Sequence, residues 1–393
     1  MAAPWLRTAW PSGGRARPIT LALILLALVA AVWLLRWGWA LLRAGGALWI
    51  VVRGPDSLPA RISTGIEELA EHYPLGEDRQ IPYHIYRPAG RNAGPAIVVY
   101  HGATPYGEEH PALVSLARGL AHIGFTVFIP RLPRLKQVII DQTSIDAMRR
   151  FYRYVQGLES VSPDQISVAG TSFAGALMLK ALVGQDMQQP PPKAVLTYGS
   201  YCDMETALRY ILTGEISAGG TKTIVEPDRW GQLIFFYSFL DQVPGSFDTG
   251  AVREVLDHYL RDSSSAGDAA KDQLPDDEKR IANLILTPGN SETAALAEAI
   301  LSRARPQLEA LSPAHFAGEI NFPVWVIHGR KDRAVPYTEA LALKRLLRQR
   351  VHLHITNLYE HTELGLGRNI LTAASDLVRL GAFFARFIRA MER

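Results

Sequence analysis

A serine on a turn between a strand and a helix is the strongest chemical signal in the sequence. Residues 165–175 read QISVAGTSFAG, so an apolar strand runs directly into a helix with Ser172 at the tip of the turn. Such a turn directs the serine oxygen into a cleft and places backbone N–H groups near a developing oxyanion. Small neighbours are required, and Gly170 and Ala174 meet this condition. The pattern predicts a nucleophile, and an ordinary helix N-cap is the alternative.

Residues 170–174, GTSFA, resemble the G-x-S-x-G nucleophile motif of the α/β-hydrolase superfamily, with Ala174 in place of the last glycine. The approach to the motif, VSPDQISVAG, also resembles the dienelactone-hydrolase and prolyl-oligopeptidase branches of the superfamily. The resemblance implies a serine hydrolase, and it leaves an esterase and a peptidase both open.

A second motif supplies candidate oxyanion donors. The sequence YHGA at residues 100–103 follows an apolar strand and resembles the H-G oxyanion motif of the superfamily. The resemblance implies that the N–H groups of Phe173 and Ala103 form the oxyanion hole, with Thr104 as another candidate for the second donor. We interpret His101 as a structural residue that braces this loop, not as a base.

The acid and the base are implied by the second half of the chain. Residues 323–336, PVWVIHGRKDRAVP, resemble the strand-seven segment of the superfamily, whose acid lies at the position of Asp332. The loop after the next strand supplies His361, and the order Ser172, Asp332, His361 is that of nucleophile, acid and base. Asp203 is a runner-up acid because some members of the superfamily place the acid after an earlier strand.

The chemistry of the three residue types is consistent with acyl transfer. A serine hydroxyl is a poor nucleophile near neutral pH, so an imidazole must take its proton, and an acid must fix the tautomer of that imidazole. We therefore predict hydrolysis of a carboxylic ester, or of a thioester or amide, through an acyl-enzyme. A catalytically silent hydrolase fold that acts as a membrane-tethered binding module is the alternative, and Ala174 motivates it.

Composition excludes several other classes. The chain has 393 residues, 48% hydrophobic and 20% charged, which is enough to form a full core. Cys202 is the only cysteine, so an intramolecular disulfide is excluded. The net charge of +3 divides unevenly: the first 50 residues carry five arginines and no acidic residue, and the remainder carries 36 basic and 38 acidic residues. We therefore predict no nucleic-acid partner. The sequence lacks zinc-protease, Walker A and dinucleotide motifs, and we predict neither a metal nor a cofactor.

The basic N-terminal end contains an apolar segment. Residues 19–35, ITLALILLALVAAVWLL, form a run of 17 residues without a charge, which as a helix reaches about 26 Å. Extension to residue 42 gives a full membrane span with an aromatic belt. A cleaved signal peptide is the alternative, but the run exceeds the usual apolar region of such peptides. We predict a basic tail at 1–18 and an uncleaved single-pass anchor at 19–42. Arginines flank both ends, so the side of the membrane on which the rest lies is not predicted.

The remaining chain alternates strands with amphipathic helices. This pattern predicts an α/β fold with a mostly parallel central sheet and helices on both faces, formed by residues 76–202 and 311–393. Residues 203–310 interrupt it as a helical cap with 18 acidic and 10 basic residues, which favours a neutral or apolar acyl substrate. We predict a membrane-proximal linker at 43–75 and a loop at 263–277.

Overall fold

A mixed sheet of eight strands lies at the centre of the molecule. The computed structural model describes residues 16–54, 56–74, 79–91, 94–184, 187, 189–218, 220–226, 228–287, 289–360, 363–364 and 370–392. The described residues form twelve strands, of which β7 pairs with β8 and β11 with β12 outside the central sheet. The strands are β1 (Ile66–Pro74), β2 (Gln80–Pro88), β3 (Ala96–Tyr100), β4 (Thr126–Pro130), β5 (Ile166–Thr171), β6 (Val195–Tyr198), β7 (Glu215–Ala218), β8 (Thr221–Ile224), β9 (Val324–Gly329), β10 (Val351–Thr356), β11 (Tyr359–Glu360) and β12 (Glu363–Leu364).

The strand order in the sheet is β1-β2-β4-β3-β5-β6-β9-β10. Strand β2 pairs antiparallel with β1 and β4, and the pairs from β4 to β10 are parallel. All five residues of β3 are buried, because a central parallel strand is covered on both faces. This topology is that of the α/β-hydrolase fold, as predicted.

Helices cover both faces of the sheet. They are α1 (Ala16–Arg53), α2 (Leu58–Ile62), α3 (Pro111–His122), α4 (Pro133–Lys136), α5 (Gln142–Gln156), α6 (Phe173–Leu182), α7 (Met204–Thr213), α8 (Arg229–Ser238), α9 (Thr249–Leu260), α10 (Ser264–Asp272), α11 (Asp276–Leu286), α12 (Ser291–Leu311), α13 (Pro313–Phe316), α14 (Tyr337–Leu347) and α15 (Ile370–Met391). Helices α1, α3 and α15 share one hydrophobic core with one face of the sheet. Helices α5 and α6 and the cap helices pack in a second core, which includes residues of the other face.

The insertion between β6 and β9 consists of α7 to α13 and a hairpin of β7 and β8. The hairpin lies where the sequence indicated helices with little strand. Helix α10 lies within the predicted loop at 263–277, so that prediction was wrong. Its small residues are typical of a loop, but Gly267 packs against the ring of Tyr259, whose hydroxyl donates a hydrogen bond to Asp268 at 2.5 Å. These tertiary contacts outweigh the low helix propensity of the segment.

Helix α1 has two parts with different surroundings. The side chains of residues 22–36 are exposed and almost all apolar. Within the described residues, α1 is the one helix long and apolar enough to cross a membrane. Farther along, Ala40, Ala44, Ala47 and Ile50 are buried on one stripe at helical spacing. The segment 43–75, predicted to be a linker, contains the end of α1, helix α2 and strand β1.

Arg43 fixes the second part of α1 to the rest of the fold. Its Nε donates a hydrogen bond to the Ile123 carbonyl at 3.0 Å, and its guanidinium forms an ion pair with Glu392. The guanidinium also lies 5.3 Å from the ring centroid of Phe125. Ile123 follows α3 and Glu392 follows α15. The contact therefore lies at the end of both helices, and only 13% of the Arg43 side chain is exposed.

Close packing of α1 on α3 depends on a glycine. A Cβ atom at Gly119 of α3 would lie 3.0 Å from the Ala47 carbonyl oxygen and 3.3 Å from Val51 Cγ2. We expect Gly119→Val to destabilise the protein by about 1–3 kcal/mol, because the added atoms must push α1 away. Gly381→Val is the matched control, since no atom lies within 4 Å of a Cβ at Gly381. Thermal unfolding of the two variants measures the difference, and equal transition temperatures would contradict the packing.

Candidate active site

Ser172 occupies a strained position between β5 and α6. Its φ of 52° and ψ of −135° lie in a region that residues with a side chain rarely adopt. The turn is held on both sides, because the Ser172 N–H donates a hydrogen bond to Tyr198 O at 2.7 Å and its carbonyl accepts one from Gly175 N at 3.1 Å. Strain of this kind persists only where the surrounding structure imposes it, and it is concentrated at functional sites.

The turn is tight because two glycines meet across it. A Cβ at Gly170 would lie 2.8 Å from the Cα of Gly175, and a Cβ at Gly175 would collide with Ser200 Oγ. The close contact to Gly170 thus involves residue 175, whereas the Ala174 side chain is fully buried in the core. Alanine at position 174 therefore does not prevent the turn from forming.

The loop after β3 packs directly against this serine. A Cβ at Gly102 would lie 2.9 Å from Ser172 Cβ and 3.3 Å from the Thr171 carbonyl oxygen, so only glycine permits the approach. The Thr104 N–H already donates to Leu135 O at 3.1 Å. Ala103 is therefore a better candidate than Thr104 for the second oxyanion donor. The first candidate donor is the N–H of Phe173, the first residue of α6. Ala103 and Phe173 are both buried, at 6% and 2% exposure.

His101 stabilises the same loop through two hydrogen bonds. Its Nε2 accepts a hydrogen bond from the Leu132 N–H at 3.0 Å, so Nδ1 carries the proton and donates it to Gly102 O at 2.8 Å. Burial lowers the pKa of His101 to about 4, because it disfavours the charged imidazolium. His101 is thus a neutral structural residue at physiological pH.

This burial makes the fold sensitive to acid. The unfolded chain binds a proton at His101 below a pKa of about 6.5, whereas the folded protein binds it only near pH 4. Stability should therefore fall by about 3 kcal/mol as the pH drops from about 6.5 to 4. His101→Gln retains an acceptor for the Leu132 N–H without the titration. Its unfolding free energy should depend less on pH over that window, and an unchanged slope would contradict the assignment.

Charged residues support the far end of the loop. The fully buried Glu108 carboxylate accepts hydrogen bonds from Arg131 at 2.7 Å and Lys136 at 3.1 Å. Burial raises the pKa of Glu108, but these bonds outweigh it and hold the pKa below its usual value. His84, Glu108 and Glu109 have ligand atoms within 4.8 Å of one another. The two cations already neutralise these carboxylates, so the cluster does not suit a metal ion.

Asp332 lies in a buried turn after β9. Its Oδ1 accepts hydrogen bonds from the N–H groups of Ala334 and Val335 at 2.9 and 2.8 Å. Only 2% of Asp332 is exposed. The two bonds fix the orientation of the carboxylate, and its Oδ2 lies 3.6 Å from Nε2 of the buried His328. An acid that orients a histidine must be held in a fixed position of this kind.

Tyr210, which the sequence did not indicate, and His328 hold this turn. Tyr210 of α7 donates its hydroxyl hydrogen to the Asp332 backbone carbonyl at 2.8 Å, which ties the cap to the acid loop. His328 donates from Nε2 to Val335 O at 2.9 Å. Tyr210 could not be found by motif, because 122 residues separate it from its partner.

Asp203, the runner-up acid, has a local role. Its Oδ1 accepts a hydrogen bond from the Thr206 N–H at 2.9 Å, which makes it the N-cap of α7. Its N–H, together with that of Cys202, donates to the buried carboxylate of Glu339. This arrangement favours Asp332 as the acid.

His361 lies outside the described residues. The described residues on either side, Glu360 of β11 and Glu363 of β12, pair antiparallel. Strand β11 contacts β9, whose end leads into the Asp332 turn. The role of His361 as general base therefore stays a prediction.

An apolar cavity of about 180 Å³ begins at Ser172. Strands β3, β5, β6 and β9 form its floor, and α1, α3 and α15 form its walls and roof. At the Ser172 end it is lined by Thr171 and His110, and elsewhere almost entirely by aliphatic and phenyl side chains. Leu48 and Val51 are the contribution of α1.

No protein-family model matches the chain, and no curated protein does. Among solved structures, it is similar to an acylaminoacyl peptidase of Pyrococcus horikoshii with 14% identity and a TM-score of 0.48, covering 84% of this chain and 42% of the peptidase. The esterase Est1E of Butyrivibrio proteoclasticus has 14% identity and a TM-score of 0.47, with 82% of this chain and 99% of the esterase covered. A putative dienelactone hydrolase of Klebsiella pneumoniae has 11% identity and a TM-score of 0.42, with 82% and 100% covered.

The chain thus spans less than half the length of the peptidase and at least 99% of the length of the other two. The fold assignment rests on the strand order of the sheet, not on these similarities.

Proposed function

We propose that this chain, which has the α/β-hydrolase fold, is a serine hydrolase that cleaves a carboxylic ester. The observation that carries the proposal is the strained conformation of Ser172, with the glycine loop at Gly102 packed against it. A serine that served only as a helix N-cap would not need a positive φ. It also would not need a second loop within van der Waals contact of its Cβ.

The proposed reaction proceeds through an acyl-enzyme. His361 takes the Ser172 proton as Oγ attacks the acyl carbon, and the N–H groups of Phe173 and Ala103 stabilise the oxyanion. The C–O bond to the alcohol then breaks, and the alcohol leaves with the proton from His361. Water, deprotonated by His361, releases the carboxylic acid and restores Ser172. Asp332 holds the imidazole in the required tautomer throughout.

A silent binding module is less well supported than an enzyme. The substitution of alanine for the last motif glycine was its motivation, but Gly175 and the Ala174 backbone make the close contacts to Gly170, and the Ala174 side chain does not. The strained geometry at Ser172 is also retained, although a binding module has no use for it.

The N-terminal helix is proposed to be a permanent single-pass membrane anchor. A cleaved signal peptide has no need to pack on the mature domain. Here the same continuous helix has an exposed apolar first part and a second part that is docked through Arg43 and four buried side chains. The bilayer is accordingly a proposed partner of the first part.

The proposed substrate is neutral or apolar at its acyl end. The cavity at Ser172 is lined by apolar side chains, and the cap carries eight more acidic than basic residues. Both features disfavour an anionic acyl group. The same mechanism would also cleave a thioester or an amide. Activity assays with each class of substrate distinguish the three.

The test is hydrolysis of an activated ester by the full-length protein in detergent. The wild type should hydrolyse para-nitrophenyl acetate, and Ser172→Ala should lose at least about a thousandfold in kcat. Ser200→Ala is the control, because this neighbouring serine lies outside the proposed reaction. Equal turnover by wild type and Ser172→Ala, in folded protein, would contradict the proposal.

A further inference from the structure

The cavity at Ser172 extends from the reactive edge of the sheet toward the opposite edge. Ile97 lines the cavity and pairs with Ser167, which precedes Ser172 by five positions. At about 3.3 Å per residue, the cavity spans about 17 Å along the strands. It is thus a long, narrow space and not a shallow cleft.

The exposed part of α1 projects from that opposite edge. Helix α3 connects β3 to the parallel strand β4, so it runs from the Ser172 edge to the opposite one. Arg43 of α1 binds the carbonyl of Ile123, just after the end of α3. The apolar residues 22–36 therefore lie beyond the edge that is farthest from Ser172.

Helix α1 also forms part of the cavity itself. From Arg43 it continues along α3, where Ala47 and Val51 lie beside Gly119. Leu48 and Val51 line the cavity together with Leu116 of α3 and Phe384 of α15. The same helix thus provides the exposed apolar segment and a wall of the space that leads to the nucleophile.

We propose that this cavity holds the acyl chain of a neutral membrane lipid ester, with the ester carbonyl at Ser172 and the chain running toward the bilayer. This inference rests on the proposed function. Three observations select this occupant. The cavity has an apolar lining, and Ser172 lies at one end of it. The helix that forms one wall, α1, also carries the exposed apolar residues 22–36.

The size and the apolar lining of the cavity are consistent with such a chain. An engineered apolar cavity of about 150 Å³ in another protein excludes water and binds benzene, and this one is about 180 Å³. An acyl chain that enters the cavity removes its apolar surface from water, which favours binding by about 25 cal/mol for each Å² buried. Binding should therefore strengthen with each added methylene until the cavity is full.

The first experiment compares para-nitrophenyl laurate with para-nitrophenyl acetate on the full-length protein in detergent micelles. Val51→Trp and Leu116→Trp fill the cavity from α1 and from α3, and each should lower the laurate-to-acetate ratio of kcat/KM about tenfold or more. Val52→Trp is the matched control, because Val52 is 50% exposed and does not line the cavity. Its ratio should equal that of the wild type. Melting temperatures identify a variant that fails to fold, and the second wall variant then provides the test.

The outcomes separate the two proposals. Absence of Ser172-dependent turnover of both esters would overturn the proposed function. Turnover of both esters with the same ratio in the wild type and the two filled variants would overturn the cavity assignment alone.

The second experiment tests the source of the chain. Protein is reconstituted in phosphatidylcholine vesicles, and a fluorescent diacylglycerol is placed in the same vesicles or in separate, protein-free ones. Hydrolysis restricted to the shared vesicles is expected. Equal hydrolysis in both arrangements, or cleavage of soluble laurate ester without cleavage of the diacylglycerol, would overturn delivery from the bilayer.

Discussion

Asp332→Asn is expected to lower kcat about ten-thousand-fold with little effect on the fold. Asparagine can still accept the hydrogen bonds that Ala334 and Val335 donate to Oδ1. Its amide nitrogen would then take the place of Oδ2 and present a donor to the histidine, which forces the wrong tautomer. Steady-state ester hydrolysis measures the loss, and circular dichroism verifies the fold.

Asp203→Asn is the comparison for this variant. Asparagine is as good an N-cap as aspartate, so α7 should be retained. Turnover should remain within about threefold of the wild type. If Asp203→Asn were the inactive variant and Asp332→Asn the active one, Asp203 and not Asp332 would be the acid.

Gly102→Ala is expected to lower kcat about a hundredfold. The added methyl group would lie 2.9 Å from Ser172 Cβ and 3.3 Å from the Thr171 carbonyl oxygen, so the loop and the serine must separate. That movement displaces the Ala103 N–H from the oxyanion, and losing one such donor costs about a hundredfold or more. The KM should change less than kcat, because the interaction forms mainly in the transition state.

Gly318→Ala is the control for adding a methyl group to a loop. A Cβ at Gly318 has no atom within 4 Å, so activity should be that of the wild type. Gly102→Ala with normal kcat would show that the loop after β3 does not contribute to the oxyanion hole.

The framework of the fold could be predicted from the sequence because its signals are local. Strands alternate with helices over most of residues 76–202 and 311–393, as the sequence pattern predicts. Buried parallel strands such as β3 are short apolar runs between turn residues. The hairpin of β7 and β8 and helix α10 were missed because neither has a clear apolar pattern: all four residues of β8 are exposed, and α10 is composed mostly of small and polar residues.

The site was predictable in its motifs but not in its surroundings. The motif identified the Ser172 turn, but the sequence did not reveal that Gly175 makes the contact with Gly170. The bond from Tyr210 to the acid loop and the apolar cavity both depend on how elements dock. The docking of α1 was hidden in particular, since Arg43 and the two glycines after it are typical of the end of a membrane span.

Covalent labelling tests the central claim, that Ser172 is an activated nucleophile. Membranes that contain the full-length protein are treated with a fluorophosphonate probe, and the modified peptide is identified by mass spectrometry. We predict a single adduct on Ser172 that is absent from Ser172→Ala and much slower to form in Asp332→Asn. Folded wild-type protein that acquires no adduct at Ser172 would contradict the account.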